Sequence, residues 1–365
     1  MQQLSNLTSK NGREKLRFGL VGAGAIAQSY IQAFEHCAEA RLVAVADCRV
    51  EAAQRIAERM HCRSFDRVER MVSDCQLDAA IVCTPPVTHT DICIHLMEAM
   101  VHVICEKPFS VDAAGAQRML EASRRTGMKL TMASKFRYVK DIIRAKSIIA
   151  SGVLGHLILF ENVFAHRVDM TSRWNSRPEI SGGGVLIDNG AHAVDLMHYF
   201  LGPLAEVHAR EARRSQGLLV EETVSLSARS VSGVVCNIDL SWSVSKLRDS
   251  FLEIYGNRGA VSVGWKKSSH LDFAHHEWVA FGNGYNKIQA FRSQIENFSR
   301  AIRGEEPLLI TAEDALDSVT IVECAYQSLR QNQPIQIPDS GHLVRSPQQR
   351  AVTAASLPGR HGTFH

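Results

Sequence analysis

The sequence predicts an α/β chain. A doubly wound parallel sheet comes first, and an α+β unit with a large, mostly antiparallel open sheet follows. Three observations carry this. Short apolar runs alternate with helical stretches from Leu16 to about residue 135. A glycine-rich turn stands between the first run and the first helical stretch. Beyond about residue 150 the runs follow one another with few helices between them. Strand–helix–strand alternation implies right-handed crossovers and a parallel sheet, whereas consecutive strands build an antiparallel one.

In the first half the runs are "LRFGLVG", "ARLVAVAD", "DAAIVCTP", "VHVICEKP" and "KLTMAS". They are too short for helices and mostly apolar throughout, as strands buried on both faces are. Between them lie "AIAQSYIQAFEHC", "RVEAAQRIAERM", "VTHTDICIHLMEAM" and "VDAAGAQRMLEASRRTG". Ser110 is the expected N-cap of a helix beginning near Val111, and Gly127 stands where a left-handed C-terminal cap belongs.

The linking helix "KDIIRAKSIIASG" ends this half. The β-rich runs "HLILFENVF", "TVSLSARS", "VVCNIDLSW", "SFLEIYG" and "AVSVGW" follow, several with period-two alternation. "YGNRGAV" reads as a hairpin. The stretch "SGGGVLIDNGAH" interrupts the strands and predicts a helix over 185–201, capped by Gly202. Its glycines, Gly182 to Gly184, read as a close approach of backbone to a cofactor or substrate. Two helices close the chain, the second opened by Thr311 with Asp314 in capping-box spacing. The expected division is a flexible tail over 1–15, a nucleotide-binding unit over 16–137, a substrate-binding and oligomerisation unit over 138–330 and a C-terminal tail over 331–365.

Composition narrows the function. Of 365 residues, 41 are basic and 38 acidic, well mixed, with a net charge of +3. No basic run suggests nucleic acid or a membrane surface. Nothing approaches the roughly 18–20 unbroken apolar residues of a membrane span. The polar start "MQQLSNLTSKNGREK" has no apolar core of a secretion signal. Nine cysteines, scattered singly with no C-x-x-C pair, suit free thiols in a reducing cytoplasm.

The turn after the first run is G-x-G-x-x-A: Gly22, Gly24 and Ala27, with Ala25 and Ile26 between them. The first glycine permits a tight turn and the second lets a pyrophosphate approach backbone. The small third residue allows helix and strand to pack closely, and this Rossmann motif leads into a helix N-terminus that attracts phosphate. Asp47 ends the second strand, 20 residues after Ala27, where its carboxylate can accept hydrogen bonds from ribose hydroxyls and repel a 2′-phosphate. This favours NAD, while Arg49 leaves NADP possible. Thr84, Pro85 and His89 follow a strand end on the ligand side of such a sheet and are candidates for the cofactor wall. For His89 a solvent-facing place at a helix start is the alternative.

Glu106 and Lys107 end the next strand and join the cofactor-facing candidates. Lys107 can also hydrogen-bond a substrate hydroxyl and stabilise the oxygen it becomes, while Glu106 can anchor the loop. The alternative is an exposed ion pair. On the helix over 185–201, Asp188, His192, Asp195 and Tyr199 share one polar stripe at about 100° per residue. A histidine one turn from a carboxylate suits acid–base chemistry. A solvated stripe is the bland alternative. A metal site is disfavoured because no Cys/His cluster completes it.

Taken in order, "GLVGAGAIA", "VADCR", "CTPPVTH", "CEKPFS", "SGVLG", "GGGVLIDNGAHAVD" and "EIYGNRGAVSV" resemble the Gfo/Idh/MocA oxidoreductases over about residues 15–330. The resemblance implies hydride transfer between a nicotinamide and a hydroxyl carbon of a sugar, cyclitol or sugar derivative. Lys107, Asp188 and His192 match the family's catalytic trio, with His192 taking the hydroxyl proton. Arg137, Trp174 and Tyr285 are candidate substrate contacts, each with a packed or surface role as its alternative. A homodimer or homotetramer through the second sheet is implied. Two departures stand out. "AMVHV" replaces A-G-K-H-V before the E-K-P strand, and "SKFRY" replaces Asn-x-Arg, keeping Arg137 but not its neighbours. Two other functions stay open: a glycoside-cleaving enzyme that retains NAD and oxidises the sugar transiently, and a non-catalytic dinucleotide sensor.

Overall fold

A computed structural model describes residues 14–338. The segments 1–13 and 339–365, most of the two expected tails, lie outside the described residues. The first half runs β1 (Leu16–Val21), α1 (Ala27–Glu35), β2 (Ala40–Ala46), α2 (Val50–Met60), β3 (Arg63–Phe65), α3 (Val68–Asp74), β4 (Ala79–Val82), α4 (His89–Glu98), β5 (His102–Glu106), α5 (Ala113–Thr126) and β6 (Leu130–Ala133). The strands form one parallel sheet in the order β3-β2-β1-β4-β5-β6. The order reverses between β1 and β4, so the crevice outside their carboxyl ends is the ligand position of this topology. β4 and β6 are buried at every position, as their continuous apolar runs require. β3 has no such run, since only Phe65 of its three residues is buried, and it escaped the sequence reading. The cap of α5 is also corrected. Asp112, not Ser110, accepts from the Gly115 N–H, and the Ser110 hydroxyl shares a hydrogen bond with Thr90. Gly127 takes the expected left-handed cap, with φ 73°.

The second half runs α6 (Lys140–Ala150), β7 (Leu157–Ala165), α7 (Pro178–Ser181), α8 (Val185–Leu201), β8 (Leu204–Glu211), β9 (Thr223–Ser230), β10 (Val235–Ser241), β11 (Ser250–Gly256), β12 (Gly259–Gly264), β13 (Ser268–Asp272), β14 (Glu277–Gly282), α9 (Lys287–Ile302), α10 (Ala312–Gln331) and β15 (Ile335–Gln336). Its strands make a second sheet, β14-β13-β12-β11-β7-β10-β9-β8-β15. Every pairing is antiparallel except β7 with β10. The capping box of Thr311 and Asp314 opens α10 as expected. One correction concerns the expected C-terminal tail: Ile335 and Gln336 pair with Val207 and Glu206 as a short edge strand.

Two apolar clusters bind the halves together. Late in the chain, α9 returns to the first sheet and lays Phe291, Ile295 and Phe298 against Phe18, Tyr30 and Ile31. Each fully buried side chain of this size contributes about 2 kcal/mol. On the other face, α8 packs on β7, β9, β10 and α10, while α10 packs on α5, β6 and β8. Helix α8 therefore lies between the two sheets, apolar on nearly all sides, and this position carries its few polar residues to the carboxyl end of the parallel sheet.

Candidate active site

The nucleotide end is built by β1 and α1. Gly22 has φ +98°, and a Cβ there would come within 2.8 Å of the Cys83 carbonyl, so the turn requires glycine. At Gly24 a Cβ would meet nothing within 4 Å, so that backbone faces open space. Ala25 is exposed, Ile26 half-buried and Ala27 fully buried. Helix α1 starts with no side-chain cap, which leaves its first N–H groups available to an anion. At the end of β2, Asp47 accepts from the Ala23 N–H at 2.6 Å and the Arg49 N–H at 2.8 Å. Burial raises this carboxyl, and the two N–H bonds with the Arg49 side chain outweigh it, so Asp47 stays below the usual carboxylate range. The open glycine, the uncapped helix and the charged carboxylate fit a dinucleotide.

Of the cofactor-wall candidates, Pro85 is exposed, and half-buried Thr84 accepts from the Thr88 hydroxyl at 2.7 Å. His89 is corrected on both readings. It is 1% exposed, and its ring nitrogens sit 2.9 Å from the Pro108 carbonyl and 2.8 Å from the Thr84 carbonyl. It ties the loop after β4 to the loop after β5. Glu106 is also buried, accepting from the Tyr30 hydroxyl at 2.8 Å and the Lys107 N–H at 3.1 Å. Burial pushes its carboxyl up, opposed by the Lys107 charge. Its place is that of an anchor under the strand end.

Lys107 reaches across to α8. Its ammonium pairs with the Asp188 carboxylate and donates to the Asp188 carbonyl at 3.2 Å. Both side chains keep part of their surface, 17% and 21%. One turn on, His192 is 5% exposed. Its Nδ1 lies 3.5 Å from the Ser134 hydroxyl, and its Nε2 has no hydrogen-bond partner among the described residues. Burial, then the positive charges of Lys107 and Lys135, hold the imidazole well below its usual range, so it is neutral and one nitrogen can accept a proton.

An aromatic wall backs this group. Phe136 meets the His192 ring edge-on at 5.0 Å and stacks with Tyr285 at 5.1 Å. Phe164, Phe251 and Trp265 complete it, with Trp265 40% exposed. Tyr285 is the one member the sequence singled out. The others come from separate elements whose convergence no local spacing reveals.

The remaining candidates lie elsewhere. Arg137 is 2% exposed and paired with Asp195 at 2.7 Å and Asp314 at 3.3 Å, so it is corrected from substrate contact to buried ion pair. The Tyr199 ring packs on its guanidinium at 5.0 Å. The polar stripe of α8 thus divides, with Asp188 and His192 toward Lys107 and Asp195 and Tyr199 toward Arg137. Trp174 is 43% exposed and has no ring contact with the aromatic wall among the described residues. The three glycines approach other groups than expected. A Cβ on Gly183 would collide with the Tyr326 hydroxyl, and one on Gly184 with the Glu221 carbonyl. Glu221 accepts from the Gly184 and Leu186 N–H groups, both at 3.0 Å, and so caps α8 with a carboxylate. The glycines let α8 seat on that cap.

A Rossmann sheet with a dinucleotide cradle, whose Lys107 pairs with Asp188 one turn from a neutral His192 on α8, defines a two-part NAD-binding oxidoreductase. Residues 16–134 match the model of the oxidoreductase family with NAD-binding Rossmann fold, and residues 142–262 match the GFO/IDH/MocA C-terminal domain. The chain belongs to the Gfo/Idh/MocA family. It is 27% identical over 346 residues to inositol 2-dehydrogenase of Rhizobium meliloti (strain 1021), covering 88% of this chain and 99% of the relative. It is 31% identical over 192 residues to D-glucoside 3-dehydrogenase of Escherichia coli (strain K12), covering 51% and 54%. The fold matches levoglucosan dehydrogenase in complex with NADH at a TM-score of 0.82, with 18% identity, over 89% of this chain and 100% of that one.

Proposed function

We propose that the protein oxidises a secondary hydroxyl of a sugar, cyclitol or sugar derivative, or runs the reverse reduction. The observation that carries this reading is the unpartnered Nε2 of a neutral His192 beside the Lys107–Asp188 pair. Gly22, Gly24 and the start of α1 hold the diphosphate, and Asp47 takes the ribose hydroxyls, which favours NAD over NADP. NAD, when bound, supplies the hydride acceptor. His192 takes the hydroxyl proton as the C–H bond gives up its hydride, leaving a carbonyl, and returns the proton in reduction. Lys107 donates to the reacting oxygen and stabilises its negative charge. Asp188 orients Lys107 and binds a neighbouring hydroxyl. Tyr285 and Trp265 supply apolar faces against which a sugar ring can lie.

The same reading extends to the whole molecule. No helix among the described residues is long and apolar enough to cross a membrane, and the described cysteines are free thiols, which suits the cytoplasm. Val235 and Trp278, exposed apolar residues in one register row on the same face of the second sheet, support pairing of copies through that sheet. The deciding experiment is a screen of sugars, cyclitols and glycosides with NAD, followed by NADH absorbance. Release of an aglycone without accumulation of NADH would replace the dehydrogenase by transient oxidation. Absence of any turnover with bound NADH would leave a sensor.

A further inference from the structure

One charged group at the site, beyond its pull on the His192 imidazole, makes no contact that the mechanism uses. Lys135 lies in the short turn Lys135–Tyr138 after β6, where the motif noted above has asparagine two residues before Arg137. It is half-buried, its Nζ 5.4 Å from the centroid of the Phe136 ring, itself against His192. The groups within electrostatic reach are Glu106 at the end of β5 and Lys107 just after it, Asp188 and His192 from α8, and Lys287 from α9.

The two carboxylates there are already engaged. Asp188 is paired with Lys107, and Glu106 holds the Tyr30 hydroxyl and the Lys107 N–H. Lys135 has neither a hydrogen bond nor an ion pair among the described residues. Burial and the neighbouring lysine lower its ammonium to about 8, against the pull of Glu106 and Asp188, so it keeps its charge at neutral pH with no partner in direct contact. A cation without a direct partner in a partly dry cleft is costly unless a ligand brings the opposite charge. A neutral polyol brings none.

Resting on the dehydrogenase reading, we propose that Lys135 is a specificity-determining residue that selects a substrate with a carboxylate near the oxidised carbon, a sugar acid rather than a neutral sugar. Lys287 is exposed, so Lys135 is the one unpartnered cation held partly buried there, and a single such charge favours a carboxylate over a dianionic phosphate. Asparagine at this position can hydrogen-bond a hydroxyl but cannot neutralise an anion, so the exchange for lysine changes the class of substrate and leaves the Lys107, Asp188 and His192 chemistry in place.

The test compares matched pairs on the full chain: D-glucuronate against D-glucuronamide, and D-gluconate against D-glucitol, with a hexose phosphate as a third arm. Binding to the enzyme–NADH complex is read by calorimetry, and turnover with NAD by absorbance. The acid should be preferred in at least one pair, and Lys135→Asn or Lys135→Met should cut that preference about 30-fold or more, with Lys135→Arg retaining part of it. NADH affinity reports that each variant is folded, and if none folds, weakening of the wild-type preference with added salt is the substitute reading. Equal use of acid and amide, a preference indifferent to Lys135 or to salt, or a loss confined to NADH binding overturns the inference. So does selection of the hexose phosphate. Turnover of neutral polyols alone sinks this inference and spares the dehydrogenase, whereas no oxidation of either class brings both down.

Discussion

Helix α8 carries two carboxylates, Asp188 and Asp195, seven residues apart, each paired with a cation from the other half of the chain. The Lys107–Asp188 pair keeps 17% and 21% of its side-chain surface, while Arg137–Asp195 keeps 3% and none. The first pair has a neighbouring histidine with a free nitrogen. The second is enclosed by Tyr199, Asp314 and the end of β6. Similar chemistry on one helix thus does two jobs, and exposure decides which. A pair at the lip of a cleft can exchange its partner for a substrate oxygen. A pair sealed inside cannot reach a substrate and can only hold elements in register.

The largest expected effect falls on the open pair. Lys107→Met and His192→Phe should each lower kcat by about 1000-fold or more, roughly 4 kcal/mol, with NADH binding kept, as single-turnover and steady-state rates on the oxidised substrate will show. A loss under tenfold at Lys107 would erase the distinction between the pairs. The sealed pair should fail differently. Asp195→Ala leaves a buried guanidinium short of its nearest partner and should cost about 3–5 kcal/mol in urea unfolding. Removing both charges at once, Arg137→Met with Asp195→Leu, should cost less than that, and a cost equal to the sum of the single changes would show that the two charges are not coupled.

Smaller effects test the cradle. Gly24→Val places a side chain in open space and should spare the melting temperature while weakening NADH binding about 100-fold, about 3 kcal/mol. Loss of fold instead would mean that the open face is not the ligand face. Next comes Glu222. Burial raises its carboxyl, but N–H and O–H groups of Ser215, Ser243, Gln216 and Leu218 hold it down at about 2. A depressed carboxyl stabilises the fold above its unfolded value of about 4.5, and that stability is lost as pH falls through about 2. Glu222→Gln should therefore cost about 2 kcal/mol at neutral pH in chemical unfolding, with the difference shrinking between pH 4 and pH 2. The smallest effect is expected at Asp47, where exchange to serine should narrow a preference for NADH over NADPH by about tenfold. Fluorescence titration that finds NADPH bound more tightly by the unaltered chain would remove Asp47 from its role.

The parallel sheet was legible because each of its long strands is a continuous apolar run ended by a motif, and the edge strand β3 was missed because it has neither. In the second sheet β8, β13 and β14 escaped notice, since "LAEVHARE", "SSHLD" and "EWVAFG" mix polar residues into half-solvated strands. The span of α8 was readable from its end glycine, and Asp188 and His192 from their spacing. Arg137 was misplaced because nothing local distinguishes an arginine that meets substrate from one that meets Asp195, 58 residues away. His89 was misplaced for the same reason, its partners being two carbonyls on different loops. Lys135 stood out in the sequence only as a departure from a motif, and its meaning depends on which neighbours already hold partners.

The pairing of Ile335 and Gln336 with β8 has a practical consequence. Those two residues cover part of the outer border of a nine-stranded sheet. A chain stopped at Gln331 would keep every residue assigned a role in catalysis, yet its border would offer unpaired peptide groups to the same border of another molecule. Shortening this protein at its last helix therefore risks self-association during expression, and the first sign would be lost yield, not lost activity.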